Sequence, residues 1–411
     1  MNLIKRNREL EYLKNARDTR LIKVITGVRR SGKSTLLELF RAGLLADGVD
    51  EQNIIAINFE DLANEELTDY KKLHRHILAH LRKGKNYIFL DEIQKVAGFE
   101  KAVDSLYIRD DTDLYITGSN AWFMSSEFAT LLTGRYIEIK IYPLSFAEFV
   151  SAFPDRSRTD LLFEDYLNFG GFPEVANLLG SNLKGVINDY LAGIYNTIIN
   201  KDIRARFAIA DIALLNNVSR FLLSTVGSLV SPKKIADFLT SSNNRTSYNT
   251  VEKYLSALGA GLIFYGVNRE DVRGKQMLRT LQKYYCVDTG LRRAILTSER
   301  NTDAGHLLEN VVYFELLRRR NSVTVGKTAD EEVDFIARNI DTNEKVYYQV
   351  AYTVKEAATL QRELRPLDRI GDHNEKIMLS TDPHETEING IRQRNIINWL
   401  LVPSGASPPN R

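Results

Sequence analysis

The sequence G-V-R-R-S-G-K-S-T, residues 27–35, follows the apolar run at residues 21–26 and precedes a helical pattern at residues 36–40. It satisfies the phosphate-loop pattern G-x-x-x-x-G-K-[ST] at every required position. Its glycines let successive backbone N–H groups point at a polyphosphate, and the dipole of the following helix favours negative charge. The sequence therefore predicts a nucleoside triphosphate site built from a strand, a loop and a helix.

Individual roles follow from this pattern. Lys33 is predicted to contact the β- and γ-phosphates, and the Ser34 hydroxyl to bind Mg²⁺. A second apolar strand, Y-I-F-L-D-E at residues 87–92, ends in Asp91 and Glu92. We expect Asp91 to hold Mg²⁺ through water and Glu92 to polarise the attacking water, which favours hydrolysis over mere binding. The predicted nucleotide contacts are Gly27, Arg29, Arg30, Ser31, Gly32, Lys33, Ser34, Thr35 and Asp91.

Two further residues are candidates for catalysis. A strand at residues 113–118 leads to Asn120, which we predict orients the water and senses the γ-phosphate, with Ser119 and Thr117 as alternatives. Ordinary turn chemistry also explains such a Gly-Ser-Asn sequence. Arg135 precedes the strand at residues 136–141 and could neutralise charge on the γ-phosphate of a neighbouring subunit. A solvated or salt-bridged arginine is an equal alternative for Arg135.

Composition restricts the class of protein. The 411 residues include 55 Lys and Arg against 53 Asp and Glu, so the net charge is only +2 and any nucleic-acid surface must be local. Cys286 is the only cysteine, which excludes a disulfide framework. The first residues are too polar for a signal peptide, and no uncharged apolar run approaches the roughly 20 residues of a membrane helix. We therefore expect a cytoplasmic protein with no membrane partner.

The order of motifs resembles that of predicted prokaryotic AAA+ superfamily ATPases with a C-terminal domain of unassigned function. The motifs are G-V-R-R-S-G-K-S-T, I-F-L-D-E-I, Y-I-T-G-S-N, L-L-T-G-R, I-Y-P-L-S-F-A-E-F and F-G-G-F-P-E. The resemblance implies an α/β P-loop core with sheet order 5-1-4-3-2, a helical lid, a winged helix and a terminal domain similar to the PD-(D/E)XK nucleases. ATP and Mg²⁺ are the implied ligands.

The middle of the chain predicts three helices and a basic hairpin, which is the order of a winged helix. The helices are predicted at residues 218–229, 231–239 and 247–258, and the hairpin strands at 262–267 and 283–287. DNA contact by the third helix and the wing is one interpretation, and docking of a protein is the other. The predicted DNA contacts are Arg245, Ser247, Tyr248, Asn249, Lys253, Arg269, Arg273, Lys275 and Arg279.

The C-terminal segment matches only part of the nuclease pattern. Glu309 on a helix and Asp334 on a strand fit the acidic positions, but Gln349-Val350-Ala351 stands where E-x-K is expected. Gln349 can offer an oxygen to a metal ion, whereas Ala351 cannot replace the lysine that activates water. We therefore interpret Glu309, Asp334 and Gln349 as a vestigial nuclease site in a domain kept for binding or assembly.

Three functions remain open at this point. The first is an oligomeric ATPase that remodels DNA, the second a nucleotide-dependent switch acting on a protein partner, and the third an ATP-regulated nuclease. The predicted domains are the ATPase core at 1–150, the lid at 151–212, the winged helix at 213–290, the nuclease-like domain at 291–402 and a disordered tail at 403–411.

Overall fold

The computed structural model describes residues 3–118, 132, 134–242, 246–272, 277–296, 304–328 and 331–402. The chain divides into two compact units. Unit 1 is Met1–Pro143 with Ala260–Leu262, and unit 2 is Leu144–Gly259 with Ile263–Arg411. The division falls at Pro143 rather than at residue 150, because the helix that begins at Phe146 packs within unit 2, with its Phe146 ring 5.1 Å from that of Phe163.

Unit 1 is built on a five-stranded sheet in which every pairing is parallel. The strands are β1 (Ile22–Gly27), β2 (Ile54–Asn58), β3 (Asn86–Asp91), β4 (Thr112–Thr117) and β5 (Tyr136–Ile141). Their order is β2-β3-β4-β1-β5. Read from the other edge this is 5-1-4-3-2, so the predicted parallel core and its strand order are confirmed.

Helices cover both faces of this sheet. They are α1 (Asn7–Ala16), α2 (Lys33–Ala46), α3 (Tyr70–His80) and α4 (Phe99–Tyr107). Leu13 of α1 and Phe40 of α2 pack on one face, and Leu73 of α3 and Val103 of α4 on the other. Because both faces are covered, β1, β3 and β4 are buried along their whole length.

The second strand differs from what its sequence predicts. The run I-I-A-I-N-F at residues 54–59 predicts a buried strand, but β2 ends at Asn58 and alternates between buried and more exposed residues. The sheet order explains this pattern, since β2 lies at an edge of the sheet and pairs only with β3.

Unit 2 begins with a helical region. Its helices are α5 (Phe146–Ser151), α6 (Thr159–Phe169), α7 (Pro173–Gly180), α8 (Ile187–Thr197) and α9 (Ala205–Phe207), with a π-helical stretch at Ile198–Arg204. Ser145 and Glu148 form a capping box at the start of α5. This motif satisfies backbone donors at the helix end, so the chain changes from strand to helix soon after β5.

Three helices and a hairpin follow in the predicted order. They are α10 (Ile212–Ser224), α11 (Pro232–Ser241), α12 (Tyr248–Ala260), β7 (Phe264–Asp271) and β8 (Met277–Cys286), with the short strand β6 (Leu229–Val230) after α10. The first helix was predicted six residues too late. Asp211 caps it by accepting a 2.8 Å hydrogen bond from the Leu214 N–H, and residues 229–230 pair with β8 instead of continuing the helix.

The remaining elements complete unit 2. They are α13 (Thr289–Leu296), α14 (Ala304–Arg318), β9 (Asn321–Thr328), β10 (Glu331–Asn339), β11 (Lys345–Val350), α15 (Ala357–Asp368), β12 (Glu375–Ser380), β13 (Thr386–Ile388), β14 (Ile391–Asn395) and α16 (Ile396–Leu401). One sheet of order β13-β14-β12-β11-β10-β9-β7-β8-β6 runs through them. The hairpin β7–β8 therefore belongs to the same sheet as the C-terminal strands, across the boundary predicted at residue 290.

A buried aspartate explains the F-G-G-F-P-E motif. The Asp288 carboxylate accepts hydrogen bonds from the Gly171 N–H at 2.7 Å and the Leu291 N–H at 3.1 Å. Burial raises the pKa of Asp288 to about 6, although these backbone donors oppose the shift. Gly170 has φ +79°, and a Cβ there would lie 2.0 Å from Asp288 Oδ1. The glycine is needed because the chain must approach this carboxylate closely.

We expect Gly170→Ala to destabilise the protein by about 2 to 4 kcal/mol, because the left-handed backbone and the clash both add cost. The matched control is Gly180→Ala, at the end of α7, where a new Cβ meets nothing within 4 Å. Chemical denaturation of both variants measures the difference. Equal stability of the two variants would contradict the close-approach argument.

Candidate nucleotide-binding site

The phosphate loop, residues 27–35, connects the end of β1 to the start of α2. Gly27 has φ +154°, and a Cβ at this position would lie 2.3 Å from the Ile141 carbonyl oxygen at the end of β5. Gly32 precedes α2 in a left-handed conformation with φ 98°. The loop is therefore packed against the sheet, with its amide groups next to the N-terminus of α2, where a phosphate is favoured.

The functional groups of the loop differ in exposure. Lys33 is 7% exposed, and its ammonium donates to the carbonyl oxygens of Gly27 at 3.2 Å and Val28 at 3.3 Å. Ser34 and Thr35 are half-buried at the first turn of α2, and Ser31 is buried. Lys33 thus lies over the loop, within reach of a polyphosphate bound there.

The two arginines of the loop are more exposed than Lys33. Arg29 is half-buried and its guanidinium lies 3.8 Å from the Glu60 carboxylate, beyond the end of β2. Arg30 is exposed and takes φ 65°. Contact of Arg29 and Arg30 with the nucleotide stays a prediction.

The acidic pair lies at the same sheet edge as the loop, because β1 and β3 are parallel strands of one sheet. Thr117, at the end of β4, joins the two acids. Its hydroxyl donates to Asp91 Oδ1 and accepts a 2.9 Å hydrogen bond from the Glu92 N–H. Thr117 was the third choice among the predicted polar residues of this strand, and it holds Asp91 and Glu92 in a fixed relation.

Glu92 has a strained backbone and a restrained side chain. Its φ is 57°, in the left-handed region that non-glycine residues seldom adopt. The Gln94 amide donates a 2.5 Å hydrogen bond to Glu92 Oε2. Strain of this kind is retained mainly at functional sites, because it costs about 1 to 3 kcal/mol. The structure therefore shows a Glu92 restrained in both backbone and side chain, and its catalytic role stays a prediction.

Arg135 has partners within its own chain. Its guanidinium forms an ion pair with Asp104 of α4 and lies 5.3 Å from the centre of the Tyr107 ring. It precedes β5, so it stands at the opposite end of the strands from the phosphate loop. Of the two interpretations of Arg135, this arrangement agrees with a salt-bridged arginine. Asn120 and Ser119 lie outside the described residues.

Sequence patterns did not reveal Arg6 or Gln94. Arg6 immediately precedes α1 and is 4% exposed, with its guanidinium donating to the Ser31 and Tyr142 carbonyl oxygens. No motif marks Arg6, because its partners lie 25 and 136 residues away along the chain. Gln94 comes two residues after Glu92, and this spacing of an amide after a carboxylate is the only local signal for it.

The residues predicted to contact DNA are partly described. Ser247, Tyr248, Asn249 and Lys253 are exposed at the start of α12, and Arg269 on β7 is half-buried. Glu252 is exposed beside them and lies 3.4 Å from the Tyr248 hydroxyl. This face of α12 is polar and carries charges of both signs. Arg245, Arg273 and Lys275 lie outside the described residues, and for Arg279 only the strand is described.

The residues that we interpret as a vestigial nuclease site lie in a buried cluster whose centre is a lysine. Lys283 of β8 lies 3.0 Å from Glu309 Oε2, 2.7 Å from Glu332 Oε1 and 3.7 Å from Asp334 Oδ1. Burial alone would lower the pKa of Lys283, but these three carboxylates raise it above its ordinary value. Burial raises the pKa of Asp334 well above its ordinary range, and Glu309 adds to the shift.

Gln349 is joined to the same cluster. Its side-chain oxygen Oε1 lies 3.4 Å from the Asp334 backbone nitrogen, and its side-chain nitrogen Nε2 donates to the Glu363 carboxylate at 3.1 Å. Asp334 accepts a further 2.8 Å hydrogen bond from the Val350 N–H. The structure thus places Glu309, Asp334 and Gln349 in one cluster. Sequence patterns did not identify Lys283, which comes from a hairpin that was predicted to belong to another domain.

Mg²⁺ fits one of these two sites. At the phosphate loop, a hydroxyl on Ser34 and a carboxylate on Asp91 supply the hard oxygen donors that Mg²⁺ prefers. In the C-terminal cluster, the Lys283 ammonium already stands among the carboxylates, so a divalent cation does not fit. Among the described residues, no cluster of His, Cys, Asp and Glu side chains has the arrangement of a metal site.

Comparisons with known proteins agree with the fold. The AAA domain family matches residues 19–150, and a domain of unknown function, DUF8612, matches residues 160–302. An uncharacterized protein of Haemophilus influenzae is 42% identical over 405 residues, covering 97% of this chain and 99% of the relative. One from Methanocaldococcus jannaschii is 30% identical over 386 residues, covering 89% and 81%.

Similarity to solved structures extends to a Walker-type ATPase of Pyrococcus abyssi. Its TM-score is 0.51 at 13% identity, and the match covers 71% of this chain and 96% of that one. At this identity the similarity concerns the fold alone. In the part of the chain that the structure describes, no helix has the length and apolar character required to cross a bilayer.

Proposed function

Because the chain belongs to the prokaryotic protein family of these Haemophilus and Methanocaldococcus relatives, and because residues 19–150 are an AAA domain, we propose that it binds and hydrolyses Mg-ATP. The observation that carries this proposal is the meeting of the phosphate loop and the acidic pair at one sheet edge. Thr117 bridges Asp91 and Glu92 there, and Glu92 is held in a strained conformation.

Each side chain has a role that follows from its position. The loop amides and Lys33 bind the phosphates and offset their charge. Ser34 and Asp91 would hold Mg²⁺, which when bound neutralises charge on the phosphate oxygens. Glu92 accepts a hydrogen bond from the attacking water and aligns it with the phosphorus atom. The Gln94 amide donates a hydrogen bond to Glu92 Oε2. The water would therefore bind to the other oxygen of Glu92, or to either oxygen once Gln94 has moved away.

The direct test is the steady-state rate of ATP hydrolysis by the full chain, measured with and without single-stranded, duplex and branched DNA at two salt concentrations. Magnesium-dependent phosphate release is expected. Absence of both nucleotide binding and turnover would contradict the proposal. Stimulation by one DNA form identifies DNA as a partner, whereas a slow rate unaffected by any DNA favours the switch that acts on a protein partner.

DNA binding by α12 is a second candidate function. It is supported by the exposure of Ser247, Asn249 and Lys253 on the third helix of a winged-helix order. Asn249 and Lys253 are four residues apart and share one helix face. We propose that this face contacts DNA and that residues 213–290 act as a winged helix. The assembly of several copies into an oligomer is part of the same proposal.

Replacing Lys253 by alanine is expected to weaken DNA binding several-fold and to reduce the slope of log K against log salt by about 1, because one phosphate contact is lost. The matched control is Glu252→Gln on the same helix, which removes a negative charge and should leave binding unchanged or stronger. Fluorescence anisotropy over a salt series measures both. If Lys253→Ala binds like the unmodified protein, the α12 face is not the DNA contact.

The nuclease alternative has the least support. Glu309 on a helix and Asp334 on a strand fit the nuclease pattern, but the Lys283 ammonium lies 3.0 and 3.7 Å from their carboxylates. We propose that residues 291–402 are a nuclease-like domain without cleavage activity, used for binding or assembly. Magnesium-dependent DNA cleavage that is abolished by Asp334→Ala would contradict this proposal.

A further inference from the structure

Arg6 lies outside the recognised motifs and yet its side chain contacts the phosphate loop. Its guanidinium donates to the Ser31 carbonyl oxygen at 2.5 Å and to the Tyr142 carbonyl oxygen at 2.9 Å. Ser31 is in the middle of the loop, and Tyr142 directly follows β5. One buried cation therefore joins the N-terminal segment, the phosphate loop and the end of an edge strand.

The position of Arg6 is itself fixed. Its carbonyl oxygen accepts a 2.9 Å hydrogen bond from the Leu10 N–H, so the residue is part of the start of α1. Leu13 of α1 is fully buried in the same core as Leu36 and Phe40 of α2. The side chain is thus anchored by a packed helix at one end and holds the loop at the other.

The loop depends on such a contact. Backbone N–H groups must converge on the phosphates, which requires that the carbonyl groups of the loop point away and find other donors. Arg6 is the donor for the carbonyl oxygen of Ser31, a fully buried residue. A guanidinium suits this role because its planar fork can serve two carbonyl groups at once.

We propose that Arg6 is a positioning residue that holds the phosphate loop in its nucleotide-binding conformation. The proposal rests on the proposed ATPase function. Without Arg6 the loop populates conformations that do not bind phosphate, and the apparent Kd rises in inverse proportion to the fraction of molecules that remain competent. Bound nucleotide restores the loop geometry, so the rate at saturation changes little.

The test compares nucleotide affinity, KM and kcat in Arg6→Ala, Arg6→Lys and the unmodified protein. Arg6→Ala is expected to raise Kd and KM for ATP by about tenfold or more, with kcat reduced less than about threefold. Arg6→Lys keeps the charge but loses the fork, so its Kd should lie between the two. The matched control is Arg17→Ala at the other end of α1, where the guanidinium contacts Tyr87 and Asp47 instead of the loop.

The outcomes separate this inference from the function on which it rests. If the unmodified protein binds no nucleotide, the proposed function fails, and the inference fails with it. If it binds nucleotide and Arg6→Ala binds equally well, only the inference is overturned. A rise in Kd that Arg17→Ala also produces would mean that Arg6 acts through general stability. Should Arg6→Ala not fold, Arg6→Lys decides, and an unchanged Kd in that variant overturns the inference.

Discussion

Glu92→Gln is expected to bind ATP with nearly unchanged affinity and to hydrolyse it about 10²- to 10⁴-fold more slowly, because glutamine cannot accept a proton from water. The substitution keeps the size of the side chain and its potential hydrogen bond with Gln94, so the loop and Asp91 should be undisturbed. Binding is measured with a fluorescent nucleotide and turnover by phosphate release. Hydrolysis at the unmodified rate would exclude Glu92 as the group that activates water.

Lys33→Ala tests nucleotide binding, as Glu92→Gln tests hydrolysis. Removal of the ammonium that lies over the loop should abolish nucleotide binding, whereas Glu92→Gln should retain it. The matched control is Glu38→Gln, an exposed glutamate on α2, the helix that follows the loop. This control should leave both binding and turnover unchanged. If Lys33→Ala still binds ATP with unmodified affinity, the phosphates are held elsewhere in the protein.

Local patterns predict the centre of the candidate nucleotide-binding site. The phosphate loop can be recognised because its glycines and lysine have a fixed spacing. The acidic pair can be recognised because Asp91 and Glu92 are adjacent and follow an apolar run. Parallel pairing of the strands then places the loop and the acidic pair at one sheet edge. The strand order itself came from the family resemblance, because hydrophobic runs do not specify which strands are neighbours.

The residues that sequence reasoning missed are those whose function depends on partners far away along the chain. Arg6 reaches Tyr142, Asp288 reaches Gly171, and Lys283 reaches Glu309 and Asp334. Each of these is a charged side chain that is buried, and burial of a single residue cannot be read from its immediate neighbours. The F-G-G-F-P-E motif was recognised, but the carboxylate that requires its first glycine lies more than 100 residues later.

Lys283 supplies a cation to Glu309 and Asp334, although the lysine of the E-x-K pattern is absent from this chain. Lys283 is 3% exposed, and three carboxylates approach its ammonium. Tyr285 donates a further 3.0 Å hydrogen bond to Glu309. The Lys283 ammonium and the three carboxylates thus form an internal ion cluster, in which a lysine side chain supplies the positive charge. The cluster ties the hairpin strand β8 to α14 and β10.

Lys283→Met is therefore expected to destabilise unit 2 by about 3 to 5 kcal/mol, because it leaves buried carboxylates without a cation. Denaturant unfolding measures the loss. The control Lys345→Met removes a more exposed lysine, 2.7 Å from Asp372, and should cost about 1 kcal/mol or less.

The pH dependence of Lys283→Met distinguishes lost charge from lost packing. Burial already raises the pKa of Asp334 in the folded state, and without the ammonium this pKa lies further above that of the unfolded chain. Stability is then present at low pH and is lost as the pH rises, so the deficit of the variant should shrink toward pH 4 and be largest above pH 7. Adding Glu309→Gln should recover part of the loss at neutral pH, since one unpaired charge is removed. A deficit independent of pH, or one that the second substitution deepens, would show that Lys283 acts through packing of its aliphatic chain and that the cluster is not held together by charge.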